Sequence, residues 1–167
     1  MSNALHEFLS NDHARLDALL AACLGAEGDI PYDLYEEFRR GLLRHIGIEE
    51  KVLFPELRRH QGVTELERQL HRDHAAIAAL LVPPPTRKEL EQIASILETH
   101  NALEETEPGL YEIIERVSGD ELPALMERVH AIPEVRLAPH SDSELLRTTI
   151  EQLLRDRVEC GDPESAR

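Results

Sequence analysis

The sequence predicts an all-α protein, an antiparallel up-down four-helix bundle with additional C-terminal helices. Leu, Ala, Glu and Arg are abundant, whereas Trp is absent and there are only three Tyr and three Phe, a composition typical of helices rather than sheets. Apolar residues recur at intervals of three and four along four long segments, which is the period of a helix with one buried face. Short connections containing Pro or Gly separate these segments, as expected when consecutive helices run antiparallel.

The first two predicted helices each carry apolar residues along one face, with a histidine among them. The first helix runs from about Asn3 to Leu24 and is ended by glycines. The second begins near Pro31, whose missing amide hydrogen suits the first turn of a helix, and ends at Gly62. Pro55 is expected to kink or loosen the last turns of this helix, because it removes one backbone hydrogen bond.

The third and fourth predicted helices follow the same design. The third runs from about Val63 to Val82 and is stopped by three consecutive prolines. The fourth starts at Thr86, with Glu89 three residues later in the arrangement of a capping box. A last apolar stretch, from Leu110 to Val117, follows a break at Pro108.

Two weaker helical patterns follow, over residues 121–132 and 143–158. We therefore expect two parts, a four-helix bundle of residues 1–118 and a C-terminal helical extension of residues 119–167. The last pattern is amphipathic, so its apolar face is expected to pack on the bundle. The alternative is that this face joins a second copy of the chain and forms a homodimer.

Two short patterns occur twice and place polar residues where core residues are expected. A His-x3-Glu-Glu pattern occurs in the second and fourth helices, and the four-residue spacing puts imidazole and carboxylate on one helix face. The sequence DHARLDALL in the first helix recurs as DHAAIAALL in the third. Each half of the chain thus supplies one lone histidine and one histidine-glutamate pair. The side chains concerned are His13, His45, Glu49, His74, His100 and Glu104.

These six side chains predict a centre of two metal ions. A buried carboxylate without a counter-charge is costly or becomes protonated, and divalent cations remove that penalty. Imidazole and carboxylate donors without a thiolate disfavour structural zinc, and calcium prefers oxygen donors throughout. Iron fits best and manganese second. Glu49 and Glu104 are expected to bridge two iron ions about 3.5 to 4 Å apart, with room for an oxo or hydroxo bridge and an open position.

The motifs resemble the hemerythrin-like HHE cation-binding domain over about residues 5–117. The two Asp-His pairs, the two His-x3-Glu pairs and an LFPEL sequence occur in the order and spacing of that family. The resemblance implies a non-haem di-iron centre within a four-helix bundle. It also implies that His13 and His45 bind one iron. His74 and His100 would bind the other, with both glutamates bridging the two ions.

The chain departs from the oxygen-carrying hemerythrins on its third helix. Those proteins have two histidines four residues apart there, whereas this chain has Leu70 four residues before His74 and a histidine at position 71. His71 is near enough in helical projection to reach the centre, but surface exposure is expected for it. With only four histidines, the two irons are expected to have equivalent ligands. The missing histidine at position 70 argues against reversible oxygen carriage.

The remaining histidines and two neighbouring glutamates are not predicted to bind metal. His6 lies two turns before His13, about 10 Å along the helix axis, which is too far to bind the same ion. Glu50 and Glu105 each follow a predicted ligand and point about 100° away from it, so they are expected to support ligands or to face solvent. The histidines predicted to lie on the surface are His60, His130 and His140.

Three classes of function agree with these residues. The favoured one is a non-haem di-iron protein that binds or senses oxygen, nitric oxide or iron without turnover. The second is a di-iron redox protein of stress repair or detoxification, for example in iron-sulfur repair or in peroxide or nitric oxide chemistry. The third is a helical interaction module in which metal is incidental.

The charge and the hydropathy of the chain narrow its partners. A net charge of −15 argues against binding to nucleic acid phosphates or to an anionic membrane. There is no apolar run long enough to span a membrane and no signal-peptide pattern, so the expected location is the cytoplasm. The expected small-molecule partner is a diatomic ligand, oxygen or nitric oxide.

Overall fold

The computed structural model of the protein describes residues 3–159, and every regular element in that range is helical. This confirms the predicted all-α class. The long helices α1, α2, α4 and α5 form the bundle, in which α1 packs on α2 and α5, and α4 packs on α5. Within the described range, no helix combines the length and the apolar character needed to cross a membrane. The helices are α1 (Ala4–Gly25), α2 (Tyr32–Ile48), α3 (Phe54–Gln61), α4 (Glu65–Leu80), α5 (Arg87–Glu105), α6 (Leu110–Ser118), α7 (Leu122–His130) and α8 (Glu144–Glu159).

Two apolar clusters fill the molecule, one on each side of a polar layer. In α1, Leu5 and Leu9 belong to one cluster and Leu16 and Leu20 to the other, with the buried His13 between them. The helix α4 repeats this order, with a buried histidine between a leucine of one cluster and an isoleucine of the other. The apolar periodicity therefore produces two cores and leaves the polar residues in a single layer between them.

The second predicted helix is divided by a π-helical turn. Residues Glu49–Leu53 form this turn between α2 and α3, and the amide of Phe54 donates to the carbonyl of Glu49, five residues back. Pro55 lies just after the turn, in the first turn of α3, where its missing amide hydrogen is not needed. The π turn lies directly before Pro55, so the helix is loosened beside this residue, within the expectation that Pro55 kinks or loosens the last turns. π turns often occur at functional sites, and this one sets the directions of the two consecutive glutamates that begin it.

Two threonines set the starts of α4 and α5. The side chain of Thr86 accepts a hydrogen bond from the amide of Glu89 at 3.5 Å, as the capping-box pattern predicts. The side chain of Thr64 accepts in the same way from the amide of Glu67 at 3.1 Å. The helix α4 consequently begins at Glu65, two residues after the predicted start, because Thr64 has the extended backbone of an N-cap.

The C-terminal segment returns to the bundle and packs on it. The chain after α7 crosses α2, where Arg44 donates to the carbonyl of Ile132 at 3.1 Å and Arg39 donates to that of Ala138 at 3.0 Å. The helix α8 then packs along α4 through apolar residues centred on the buried Ile150. Packing on the same chain was the favoured expectation. The homodimer and the division at residue 118 stay predictions, and residues 160–167 of the proposed extension lie outside the described part.

His140 is not a simple surface residue, contrary to the expectation. Its side chain is only 12% exposed, and its Nε2 lies 2.8 Å from the carboxylate of Glu36. Its Nδ1 lies 3.1 Å from the carbonyl oxygen of Val82. The sequence between α7 and α8 has no helical period, so this contact across the bundle had no local signal.

Candidate metal centre

The structure brings the six predicted ligands together in the polar layer, and all six are buried. They form two groups that share both glutamates. Within each group, one nitrogen or carboxylate oxygen from every residue lies within 4.8 Å of the others, close enough to hold one metal ion. The first group is His13, His45, Glu49 and Glu104, and the second is His74, His100, Glu49 and Glu104.

Each of the four histidines has a carboxylate at its Nδ1 atom. The Nδ1 of His45 lies 2.9 Å from Asp12, and the Nδ1 of His100 lies 3.2 Å from Asp73. The Nδ1 atoms of the other two histidines contact the second glutamate of each His-x3-Glu-Glu pattern. His74 lies 2.7 Å from Glu50, and His13 contacts Glu105. A carboxylate accepts from an N–H group, so these contacts fix the proton on Nδ1 and leave the lone pair of Nε2 free to bind a metal.

The Nε2 atoms of all four histidines face the two shared glutamates. His13 lies 3.3 Å from Glu104, and His45 lies 3.2 Å from Glu49 in the first group. In the second group His74 lies 3.0 Å from the other oxygen of Glu49, and His100 lies 3.0 Å from the other oxygen of Glu104. Each glutamate thus offers one oxygen to each group, which is the arrangement of a bridging carboxylate.

Three buried polar atoms of the second group indicate that this layer suits a cation. Among the described residues, the Nε2 of His74, Oε2 of Glu49 and Oε1 of Glu104 have no hydrogen-bond partner. These atoms lie close together, but their geometry does not form hydrogen bonds between them. The lone pairs of the nitrogen and of the two oxygens therefore face the same space. Buried polar atoms without partners are costly, and a cation in that space would satisfy them. The residues present therefore fit a bound metal.

Burial and neighbouring charges shift the pKa values of the histidines and glutamates of the layer in opposite directions. Burial alone would lower the pKa of His45, but the charge of Glu49 raises it to about 10. Burial acts in the same direction on His100, and the charge of Glu104 raises the pKa of that imidazole to about 10. Burial alone would raise the pKa of Glu49, but His45 beside it holds the pKa well below its usual range. Protons and metal ions therefore compete for the same nitrogens.

Tyr111 on α6 completes the first group and was not predicted from the sequence. Its side chain is fully buried, and its hydroxyl oxygen contacts all four residues of that group. Burial and the charges of Glu104 and Glu49 raise the pKa of Tyr111 well above its usual range, so the phenol keeps its proton when no cation is near. The second group has no such contact among the described residues. The two groups thus have the same number of histidine and glutamate donors and differ in their contact with Tyr111.

A close approach between α5 and α6 positions this tyrosine. A Cβ atom at Gly109 would collide with the backbone carbonyl of Glu104, so that only glycine allows the chain to turn so tightly here. Tyr111 follows two residues later, in the first turn of α6. The sequence shows the break at this point, but the direction of the following helix depends on the geometry of the turn.

The neighbouring polar residues occupy supporting or exposed positions. Glu50 and Glu105 hold histidines of the layer, in agreement with the expected supporting role. The side chain of His71 is 63% exposed, as expected, and its Nδ1 lies 2.9 Å from Glu50. His6 contacts the backbone carbonyl of Glu105 and belongs to neither group.

Asp12 and Asp73 are the other functional positions that sequence reasoning left unassigned. Each precedes a layer histidine but contacts the histidine of a different helix. The recurrence of an Asp-His pair in both halves was the available signal. Arg15 on the same helix contacts Asp12 at 2.8 Å, whereas Asp73 is contacted at 2.6 Å by Arg157 of the C-terminal helix.

A small apolar cavity borders the layer on the side opposite Leu5 and Leu9. Its volume is about 10 Å³, enough for about one molecule of the size of water. Three imidazoles reach it, those of His13, His45 and His100, so a small molecule there would touch both groups. Its apolar lining consists of Leu16, Leu42, Ile46, Ile77 and Leu97.

Comparison with known families agrees with this geometry. The model of the hemerythrin HHE cation binding domain matches residues 4–108, a range that includes all six residues of the two groups. The helix α6, with Tyr111, lies beyond the matched residues. Searches of curated proteins and of solved structures found no match.

Proposed function

Because the chain belongs to the hemerythrin HHE cation-binding family, we propose that its polar layer binds two iron ions and, through them, a diatomic molecule. His13 and His45 bind the first ion, and His74 and His100 bind the second. The two glutamates of the layer bridge the ions. The observation that carries the proposal is the position of all four Nε2 atoms around Glu49 and Glu104, with every Nδ1 held by a carboxylate.

Bound iron would supply redox chemistry and a coordination position for a small molecule. The residues of the chain prepare the layer for that chemistry. The carboxylates at Nδ1 hold each imidazole in one tautomer and make it a better donor. The apolar clusters on both sides keep bulk water from the layer and fix the side chains by close packing.

The size of the cavity favours a very small ligand over an organic substrate. A space of about 10 Å³ beside three histidines holds about one molecule of the size of water and no organic substrate without rearrangement. Every small molecule among the proposed roles meets this limit, and binding or sensing of a diatomic gas without turnover stays the favoured role. Rapid consumption of peroxide or nitric oxide by the iron-loaded protein would instead favour the redox role in repair or detoxification.

The direct test is metal analysis of the purified protein together with its optical spectrum. We expect two irons per chain and the absorption of a coupled ferric pair. Glu49→Ala and Glu104→Ala should each lose iron to a similar extent, because each glutamate offers one oxygen to each group. His60→Ala is the control, since this residue lies outside both groups. A glutamate variant that keeps two tightly bound irons and an unchanged spectrum would contradict the bridging role of that residue.

A further inference from the structure

The hydroxyl of Tyr111 lies among donor atoms from all four residues of the first group. Its oxygen is 2.7 Å from Glu49 and 3.1 Å from Glu104. It is 3.2 Å from the Nε2 atom of His13 and 3.2 Å from that of His45. No other described side chain makes such a set of contacts with either group.

Hydrogen bonding accounts for at most three of these four contacts, and only while both imidazoles carry a proton on Nε2. A hydroxyl has a single proton and can donate to one neighbour at a time. Metal binding requires neutral imidazoles, and a neutral imidazole with its proton on Nδ1 presents a lone pair at Nε2. At least three of the four contacts would then join lone pair to lone pair in a buried place, which is unfavourable unless a cation lies among them.

The spacing of these atoms is that of ligands around a common ion. Two donors at right angles on one metal, with bonds of about 2.1 Å, lie about 3.0 Å apart. The four distances from the Tyr111 oxygen lie close to this value. The distance between His13 and Glu104 is similar, at 3.3 Å, and so is that between His45 and Glu49, at 3.2 Å.

We propose that Tyr111 is a fifth protein ligand of the ion held by His13 and His45, and that it binds through its phenol oxygen. The proposal rests on the two-ion centre proposed above. On binding, the phenol proton is released to solvent and the oxygen binds as a phenolate, a hard anionic donor that also serves as an iron ligand in some haem proteins. No described residue offers such a ligand to the ion held by His74 and His100, so the two ions are unlike.

The test uses the ferric protein and its tyrosines. Phenolate bound to ferric iron gives a visible charge-transfer band and tyrosine vibrations in resonance Raman spectra excited in that band. We expect both signals in the parent protein, and we expect Tyr111→Phe to lose both while it keeps two irons per chain at saturation. The affinity for one of the two irons should fall at least about tenfold in a chelator competition, since the loss of supporting partners alone costs about 10- to 100-fold.

The matched control is Tyr35→Phe. Tyr35 is equally buried but belongs to the apolar cluster away from the layer, so this variant should keep the charge-transfer band. The signal of the parent protein is informative on its own, even if a variant folds poorly. Two irons per chain without a phenolate band would overturn the role of Tyr111 and leave the two-ion proposal intact.

Other outcomes separate the two proposals further. A parent protein that binds one iron, combined with a Tyr111→Phe variant that binds two, would mean that the hydroxyl fills the place of an ion, and it would overturn the ligand role. A parent protein that binds no metal under any loading condition would overturn both proposals. A band that survives in Tyr111→Phe would exclude this tyrosine as its source.

Discussion

Four carboxylates decide how the histidines of the layer point, and they interlock the two halves of the chain. Asp12 and Asp73 each hold the histidine on the next bundle helix of their own half. Glu50 and Glu105 each hold a histidine of the other half. The two repeated patterns therefore carry both the ligands and their supports, and neither half builds an oriented pair of imidazoles by itself.

Loss of one supporting carboxylate should weaken metal binding without removing a ligand. Asp12→Ala should lower the affinity of the ion held by His45 by about 10- to 100-fold, because the imidazole loses its fixed tautomer and orientation. Chelator competition measures this effect. Asp29→Ala, at an exposed position in the loop between α1 and α2, should leave the affinity unchanged. Equal affinities in the Asp12 variant and the parent would show that the carboxylate does not support the ligand.

The sequence predicted which six polar side chains come together, but it did not predict the residues that support or contact them. The six residues of the two groups stand at positions of the apolar period, so their burial in one layer follows from helix geometry. Asp12 and Asp73 stand one position off that face, and their roles depend on which helix lies beside them. Tyr111 depends on a tight turn after α5, whose direction has no signature in the apolar period.

The helices themselves followed from periodicity and capping, and the exceptions have local causes. When α2, the π turn and α3 are counted as one segment, the four bundle segments begin and end within two residues of the predicted positions, since Gly, Pro and Thr mark their ends. The π turn at Glu49–Leu53 was missed, because one residue inserted into a helix changes the apolar pattern very little over a single turn. Its effect is local but important, since it begins at a residue shared by both groups.

The C-terminal helix α8 supports one of the two groups only. Arg157 donates to Asp73 at 2.6 Å, and the other oxygen of Asp73 lies 3.2 Å from His100. In the other half, the arginine that contacts Asp12 is Arg15, from the same helix. The C-terminal helix thus supplies the arginine that contacts the supporting aspartate of the second group, whereas the first group uses an arginine of the same helix as its aspartate.

Arg157→Ala should therefore lower the affinity for the ion held by His74 and His100 more than the affinity for the other ion. We expect up to about a tenfold loss of affinity for one of two ions, because Asp73 loses the cation that fixes it. A metal titration with chelator competition resolves the two steps. Arg155→Ala removes a nearby arginine that donates a hydrogen bond to Gln152 of its own helix, and it should have no effect. Equal weakening of both ions by Arg157→Ala would contradict a role restricted to the second group.

Across the whole molecule, the polar layer has more negative than positive groups. Six carboxylates surround four imidazoles, namely the two shared glutamates and the four carboxylates at Nδ1. Two kinds of cation can balance them, protons on the imidazoles or metal ions between them. The raised pKa values of His45 and His100, each about 10, show that protons take this role in the metal-free protein. Removal of metal therefore need not unfold the bundle at neutral pH.

This competition gives the stabilisation by metal a definite dependence on pH. In the metal-free protein, His45 and His100 have pKa values raised to about 10, so the stability that they contribute is full below about 6.5 and is lost as the pH rises towards 10. The pKa of Glu49 is lowered, and its contribution is lost only as the pH falls below its usual range. Metal binding requires neutral imidazoles, so it strengthens as the pH rises.

The difference in melting temperature between the metal-bound and the metal-free protein should therefore increase from pH 6 to pH 9, because the metal-free form weakens while metal affinity grows. At a free metal concentration about 100 times its Kd, each bound ion stabilises the folded state by about 2.7 kcal/mol, or roughly 5 to 10 °C for a chain of this size. Thermal unfolding with and without chelator, at matched ionic strength across this range, measures the difference. A difference that stays constant or shrinks with rising pH would mean that protons and metal do not share these imidazoles, and that the layer is balanced in another way.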